Sequence, residues 1–506
     1  MPSPALPVRA LSESPASHPH TRRPLVLLAV MLAMFMAAVE ATIVATAMPT
    51  IIADLGGFQL FSWVFAIYLL TQAVSAPIYG KLADIFGRKP SLYAGTALFL
   101  LGSLFAGFSP SMLWLIFFRA LQGLGAGAIQ PIATTIVADI YTPEERARVQ
   151  GYLSSAWGIS AVIGPVLGAV FVEHIGWSFV FWINLPVGAV TIALFALFLD
   201  EGELHKTHQI DYLGALLLTL GTTALMLALI QGAILPTGVV AALVLFAGAL
   251  LALFFRIERR VLEPIMPLSL WRIRVIATGN LGQLITGAVM IGAATFVPTY
   301  VQGVMGRSAA AAGLAIAAMS ISWPIASALS GRLMVATSFR LTAVVGSLIL
   351  VLGSVLLALL TPELGPLFAT AGSFVIGLGM GFTNSTYVVA VQTSVEWRQR
   401  GAATSSNIFM RMVGQAMGAA LFGAMLNYGV VRHAGVDTDI VNRMLEPALR
   451  AGIDPAVVDR VAHVMAASLH DVYLIATLLA LIALVVAFRL PGHLNPKNAL
   501  KARAAV

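Results

Sequence analysis

The sequence contains no cysteine among its 506 residues. This absence excludes disulfide bonds, thiol chemistry and metal sites with cysteine ligands. The nine histidines are scattered and show none of the spacings of a metal-binding motif. We therefore expect no metal ion and no other cofactor.

The sequence also contains few charged residues. Only 10% of its residues are charged, 59% are hydrophobic, and the mean hydropathy is +0.91. A water-soluble protein of this length needs a more polar surface than this composition supplies. The composition therefore indicates an all-α polytopic membrane protein. The net charge of +7 does not indicate nucleic-acid binding, because the bases lie in the connections between apolar runs.

Apolar runs long enough to cross a hydrocarbon layer of about 30 Å as helices recur along the chain. The sequence predicts about fourteen of them, near residues 25–52, 60–83, 90–109, 112–138, 145–172, 177–199, 211–231, 236–257, 272–302, 309–335, 340–360, 364–392, 399–427 and 468–489. An even number of spans places both termini on one side of the membrane.

The basic residues predict which side that is. If residues 1–24 form a disordered cytoplasmic tail, the connections on the same side contain 22 of the 29 Lys and Arg. The positive-inside rule then places both termini in the cytoplasm, with residues 491–506 as a second tail. The long segment 428–467 is expected on the outer side, where valines at helical spacing predict amphipathic helices.

A weak internal repeat predicts two halves. Gly331-Arg332-Leu333 followed by Arg340 corresponds to Gly80-Lys81-Leu82 followed by Arg88. Two six-helix bundles related by a pseudo-twofold axis are a common transporter plan, with substrate bound between them near the membrane midplane. We expect the bundles at 25–199 and 261–490, with a helix pair and its flanking loops inserted at 200–260.

Three charged residues lie deep inside predicted spans. Glu40 lies about 22 Å along the first helix and Arg119 about 10 Å from the outer end of the fourth, so the two are at similar depths. Arg411 lies about 18 Å along the thirteenth helix. Ionisable residues at such depths are candidates for function. For Glu40 the alternative is a structural carboxyl between helices. Arg411 either attracts an anionic substrate group, neutralises Glu40, or forms a static charge pair between the halves.

Polar residues in the second half are further candidates for a substrate cavity. Asn280, Gln283 and Asn384 lie within predicted spans, as does Gln392. Such residues also act as ordinary hydrogen-bonding contacts between packed helices. The sequence leaves both interpretations open.

The stretch from Gly80 to Pro90 carries the most specific pattern. It reads Gly-Lys-Leu-Ala-Asp-Ile-Phe-Gly-Arg-Lys-Pro and separates the second and third apolar runs. Gly80 and Gly87 predict that the chain reverses tightly there. The positive-inside rule accounts for the bases of this stretch but not for Asp84. The pattern resembles the signature loop of the major facilitator superfamily, although Ile85 stands where that family often has a base. The resemblance implies a gating loop made of Gly80, Asp84, Gly87, Arg88 and Lys89.

Three other motifs resemble the drug:proton antiporters with fourteen helices in that superfamily. Glu40 begins a Glu-Ala-Thr-Ile-Val motif in which the family usually has Asp, and Arg119-x-x-Gln-Gly resembles its fourth-helix motif. Gly164, Pro165 and Gly168 match the centre of the antiporter motif, with Ser160 and Ala169 departing from it. The resemblance implies a proton-coupling role for Glu40 and Arg119, and a helix hinge at the fifth-helix motif. For that motif the alternative is a purely structural Pro-Gly kink.

The resemblance implies a proton-driven antiporter that exports lipophilic cationic or amphipathic drugs across a bacterial cytoplasmic membrane, giving antibiotic resistance. Its energy source would be the proton gradient, and it is expected to be a monomer in the lipid bilayer without nucleic-acid partners. Export of an endogenous lipid, fatty acid or siderophore, or uptake on the same fold, are the alternatives. A membrane enzyme would need a constellation of catalytic residues, whereas the spans contain one deep carboxylate. A channel would need a lining of carbonyls or charged rings, and the two-repeat pattern fits alternating access better. A membrane scaffold without transport activity would tolerate Glu40→Gln.

Overall fold

The computed structural model describes residues 21–56, 60–201, 211–231, 235–261, 264, 269–307, 309–429 and 452–492. Within these ranges the regular structure is helical, without a β-strand. Among the described residues, twelve helical segments are long and apolar enough to cross a membrane. The described helices cover all fourteen predicted apolar runs, which confirms the expected all-α membrane fold. Residues 1–20 and 493–506 of the predicted tails, and residues 430–451 of the long outer segment, lie outside the described residues.

Over residues 21–56 and 60–201 the N-terminal half contains seven helices, the sixth and seventh of which form one span. They are α1 (Arg23–Leu55), α2 (Phe61–Phe86), α3 (Arg88–Ala106), α4 (Met112–Ile140), α5 (Pro143–His174), α6 (Phe179–Trp182) and α7 (Asn184–Phe198). The N terminus of α5 is fixed by a capping box, in which Thr142 and Glu145 each bond the other's backbone N–H.

The C-terminal half follows an inserted pair of helices. The pair is α8 (Tyr212–Gln231) and α9 (Thr237–Glu258), and the half consists of α10 (Arg274–Thr299), α11 (Ala309–Ala336), α12 (Phe339–Ala358), α13 (Gly365–Thr393), α14 (Arg400–Gly429) and α15 (Pro455–Phe488). Met226 of α8 packs with Leu70 of α2 and Val413 of α14. The inserted pair therefore contacts both halves.

The last helix begins about three turns earlier than the sequence predicted. The expected start near 468 is wrong: α15 begins at Pro455, where Asp454 accepts a hydrogen bond from the amide of Ala456. Val461 is fully buried and belongs to the same core cluster as the apolar residues further along α15. The valine periodicity near the end of the long segment therefore belongs to the first turns of α15, and its position outside the membrane stays a prediction.

Candidate functional site

Asp84 joins the two halves of the protein at the N terminus of α14. Its Oδ1 accepts a hydrogen bond from the amide of Gly401 at 3.0 Å, and its Oδ2 accepts one from the amide of Ala402 at 2.8 Å. Free amides and the helix dipole make a helix N terminus an anion site. The carboxylate of one half is therefore bound by the backbone of the other. We call the end of the bundle where this contact lies the Asp84 end.

Arg88 extends this contact into a charged network. Its guanidinium lies 2.7 Å from Asp84 and 3.0 Å from Asp139, and it donates to the backbone oxygen of Trp397 at 2.8 Å. The guanidinium also lies over the Trp397 ring, 4.4 Å from its centroid. Arg400 closes the network through a 2.9 Å contact with Asp139. We call these five residues the Asp84 latch.

Three members of the latch did not emerge from the sequence. Asp139 ends α4, and Trp397 and Arg400 precede or begin α14. Asp139 could have been noticed in the sequence, because acidic residues are uncommon at this end of the apolar runs. Nothing in the local sequence marks Trp397, because its role depends on how the halves pack.

Lys89 acts within the N-terminal half rather than in the latch. Its ammonium group donates to the backbone oxygen of Leu199 at 2.9 Å, next to the C terminus of α7. Glu201 reciprocates by accepting hydrogen bonds from the amides of Arg88 and Lys89 at the start of α3. Burial raises the pKa of the Glu201 carboxyl, although these amide bonds act in the opposite direction. Lys89 and Glu201 thus fix α3 to the end of α7.

The two glycines of the signature stretch have different roles. Gly87 has φ = +101° and separates α2 from α3, as expected for a tight reversal. The same expectation for Gly80 is wrong, because Gly80 lies inside α2. A Cβ at Gly80 would lie 2.1 Å from the Ser405 hydroxyl oxygen and 2.8 Å from the Gly401 carbonyl oxygen. Position 80 accommodates only glycine, because α14 crosses α2 there at close range.

Gly80→Ala is therefore expected to destabilise the closed Asp84 end. The added methyl meets backbone as well as a side chain, and overpacking of this kind costs about 1–3 kcal/mol. The thermal unfolding midpoint in detergent should fall. Gly423→Ala on α14 is the matched control, since a Cβ there meets nothing within 4 Å. Equal midpoints for the two variants would contradict the close crossing.

Glu40 and Arg119 form a buried ion pair inside the N-terminal half. The Arg119 guanidinium bonds Oε1 of Glu40, and the side-chain amide of Asn184 donates to Oε2 at 2.6 Å. Glu40 has no exposed surface and Arg119 is 1% exposed. The structure thus brings together the two residues whose depths matched in the sequence. Glu40 was also a candidate for lining the substrate cavity. Because it has no exposed surface in this conformation, a substrate can reach it only after the surrounding helices rearrange.

Neutral groups complete the surroundings of this pair. Arg119 donates to Oε1 of Gln122 at 2.7 Å and to the backbone oxygen of Val64 at 3.2 Å, and it lies 4.2 Å from the centroid of the Tyr68 ring. Ser103 accepts hydrogen bonds from Gln122 and Asn184. One acid and one base therefore sit in a hydrogen-bonded, water-excluding shell. The shell contributes several partners that sequence patterns did not single out, Tyr68 and Ser103 among them.

The fifth-helix motif packs against the helix that carries Glu40. A Cβ at Gly164 would lie 1.9 Å from the Thr42 hydroxyl oxygen, and one at Gly168 would lie 3.0 Å from the backbone oxygen of Ile43. The helix α5 runs through Pro165 without interruption. The glycines thus permit close contact between α1 and α5, and the hinge role stays a prediction.

The polar candidates of the C-terminal half form one cluster across α10, α13 and α14. Gln283 donates to Asn384 at 2.9 Å and to Asn407 at 3.1 Å, and Asn407 donates to Asn280 at 3.1 Å. Asn280 in turn donates to the Ser406 hydroxyl at 3.0 Å. Asn384 is the partly exposed member, while Asn280, Gln283 and Asn407 are fully buried. The cluster contains only neutral groups.

Gln392 of α13 lies outside this cluster, because its amide bridges to the other half. It donates to the backbone oxygen of Thr134 on α4 at 3.1 Å.

Arg411 reaches from α14 towards the other half. Its Nη2 lies 3.2 Å from Oε1 of Gln130 on α4, and the side chain is 8% exposed. Arg119 and Gln130 are eleven residues apart on one helix, which separates their levels by about 17 Å. Both carboxylate oxygens of Glu40 already have partners. The expectation that Arg411 neutralises Glu40 is therefore wrong for this structure.

Comparison with known proteins agrees with this geometry. A family model described as Major Facilitator Superfamily matches residues 30–419. The chain is 34% identical over 483 residues to Multidrug resistance protein 3 of Bacillus subtilis (strain 168), an alignment covering 91% of this chain and 93% of that protein. It is 35% identical over 410 residues to Multidrug transporter protein MdtP of the same organism, covering 80% and 76%.

Solved structures agree on the fold. The proton:xylose symporter XylE, bound to 6-bromo-6-deoxy-D-glucose, matches with a TM-score of 0.64 at 13% identity, covering 95% of this chain and 98% of that one. The family match and the Bacillus relatives indicate a transporter rather than an enzyme. The chain belongs to the major facilitator superfamily and is a multi-pass membrane transporter.

Proposed function

We propose that this transporter is a proton-coupled antiporter that exports lipophilic cationic or amphipathic compounds from the cytoplasm. The observation that carries the proposal is the Glu40–Arg119 pair, one carboxylate and one guanidinium enclosed in the N-terminal half. A buried carboxyl with a single basic partner suits a group that takes up a proton in one conformation and releases it in another. The two Bacillus relatives are named as multidrug proteins, which supports export of drugs.

The coupling we propose runs from Glu40 to the Asp84 latch. Protonation of Glu40 removes the charge that holds Arg119, which loosens α1 against its neighbours. The glycines of α5 pack on α1 just beyond Glu40, and α5 contacts α11 of the other half through the Ser154 and Ser327 hydroxyls at 2.9 Å. A shift of α1 is thereby transmitted to the contact between the halves. The proton acts by changing the relative stability of two arrangements.

The described conformation corresponds to closure at the Asp84 end. The latch, the Gln392–Thr134 bond and the Ser154–Ser327 bond all join the halves in the part of the bundle nearer Asp84. We place this end in the cytoplasm, because the positive-inside rule assigns the basic connections to that side. In the proposal both termini are cytoplasmic, the membrane is the bacterial inner membrane and the protein works as a monomer without a cofactor.

The experiment is transport of ethidium by purified protein in liposomes under an imposed pH gradient. Protein reconstituted with its Asp84 end outward should accumulate the dye when the lumen is acidic, and a proton ionophore should abolish the accumulation. Ethidium movement that ignores the gradient would contradict proton coupling. Absence of ethidium movement, together with gradient-driven movement of a fatty acid, would favour the alternative of an endogenous lipid or fatty-acid exporter.

A further inference from the structure

Arg411 is a deep basic residue whose partner is neutral. It lies eleven residues, or about 17 Å, along α14 from Arg400, well inside the span. Gln130, its hydrogen-bond partner on α4, lies about 15 Å from the end of that helix at Ile140. The two side chains therefore meet at one level of the bundle, between the halves.

The charge of Arg411 is not balanced by protein. Arg88, Arg119 and Arg400 each lie against a carboxylate. Among the residues that the structure describes, no Asp or Glu forms an ion pair with Arg411, and its Nε is buried without a hydrogen-bond partner. A buried guanidinium that lacks both a counter-ion and one hydrogen bond is costly, so its retention calls for a role.

The surroundings of Arg411 leave its positive potential intact. One helical turn before it, Asn407 belongs to the neutral amide cluster with Gln283 and Asn280. Gln283 also has a buried Oε1 without a hydrogen-bond partner. A Cβ at Gly287 would lie 2.4 Å from the Arg411 carbonyl oxygen, which shows how tightly α10 packs against α14 there. The guanidinium is thus held by packed helices and faces the other half.

We propose that Arg411 and Gln130 form a subsite for the anionic group of an amphipathic transported compound, a carboxylate, phosphate or sulfonate. The guanidinium supplies charge and paired donors for such a group, and the Gln130 side-chain amide supplies a further donor. The inference rests on the proposed export function and specifies, for those substrates that are amphipathic and carry an acidic group, which residues bind that group. Glu40 remains a separate site at a different level of the bundle.

The test compares two dyes that differ at one group. Rhodamine B carries a free carboxylate, and its ethyl ester carries the same ring system with that charge masked. Equilibrium binding of each dye to the full chain in phosphatidylcholine nanodiscs is measured by fluorescence anisotropy, without a pH gradient. We expect the native protein to bind rhodamine B more tightly than the ester. Arg411→Gln should weaken rhodamine B binding by about tenfold or more and leave ester binding unchanged.

Two controls separate recognition from folding and from lipid binding. Arg411→Lys keeps the charge and should keep the preference for rhodamine B, while unchanged binding of the ester reports an intact fold. A similar loss for both dyes in Arg411→Gln, or no preference in the native protein, would overturn the subsite. Phosphatidylglycerol added to the nanodiscs should not compete with rhodamine B. Strong competition would assign the guanidinium to a lipid headgroup instead.

The binding test is independent of the transport test. If ethidium transport ignores the pH gradient while the carboxylate preference stands, the proposed proton coupling fails and the subsite survives. If gradient-driven transport stands and the carboxylate preference is absent, the subsite fails and the antiporter proposal survives.

Discussion

Glu40→Gln is expected to abolish pH-gradient-driven ethidium accumulation, reducing it to the level of protein-free liposomes. The substitution keeps the size of the side chain and an acceptor for the Asn184 amide, but it removes the group that exchanges a proton. A transporter without that group can still exchange substrate down its own gradient. We therefore expect ethidium counterflow, which needs no net proton movement, to continue in the variant.

The pairing of Glu40 with Arg119 makes a stability control necessary. Removing one partner of a buried ion pair typically costs about 3–5 kcal/mol, because the remaining charge loses its counter-ion. Retained counterflow shows that the variant is folded, whereas loss of both activities would indicate a structural role for the carboxyl. Gradient-driven transport at the native rate would show that Glu40 does not carry the proton.

Two further variants make the test specific. Glu173→Gln removes an exposed carboxyl near the end of α5 and should leave gradient-driven transport unchanged. Glu40→Asp restores an ionisable group one methylene shorter and should recover gradient-driven transport in part, because the shorter side chain weakens the contacts with Arg119 and Asn184. Gradient-driven transport that decreases from the native protein to Glu40→Asp and then to Glu40→Gln would identify residue 40 as a group that exchanges a proton.

Sequence patterns predicted the local features of this protein well. The apolar runs predicted the helices, because crossing a bilayer requires a continuous hydrogen-bonded helix of fixed length. Depth along a helix was enough to associate Glu40 with Arg119, since two residues at one level can meet when their helices pack. Asp84 was identified because the positive-inside rule does not account for an acid in that connection and because the surrounding residues resemble a family signature.

Features that depend on packing between distant segments were not predictable. Asp84 is bound by amides more than three hundred residues away, and no local pattern specifies that α14 begins beside α2. For the same reason the sequence predicted a turn at Gly80, whereas the structure places Gly80 at the crossing of α2 and α14. The start of α15 was missed because its first turns are amphipathic, so a hydropathy window excluded them although Val461 is buried.

A disulfide between Ser154→Cys and Ser327→Cys is expected to stop transport. The two hydroxyl oxygens lie 2.9 Å apart across the contact between α5 and α11, so sulfurs in their places need only a small approach to reach about 2.05 Å. If transport requires the halves to separate near the Asp84 end, the bond holds that end closed. The native chain has no cysteine, so every cross-link comes from the introduced pair.

The same serine provides a matched control within one half. The Ser385 hydroxyl of α13 also lies 2.9 Å from Ser327, and both helices belong to the C-terminal half. Oxidation by copper phenanthroline should abolish ethidium transport in the Ser154–Ser327 double cysteine variant, and dithiothreitol should restore it. The Ser327–Ser385 pair should cross-link without loss of transport, because halves that move as units do not separate there. Transport that survives the first cross-link would mean that the α5–α11 contact stays closed throughout the cycle.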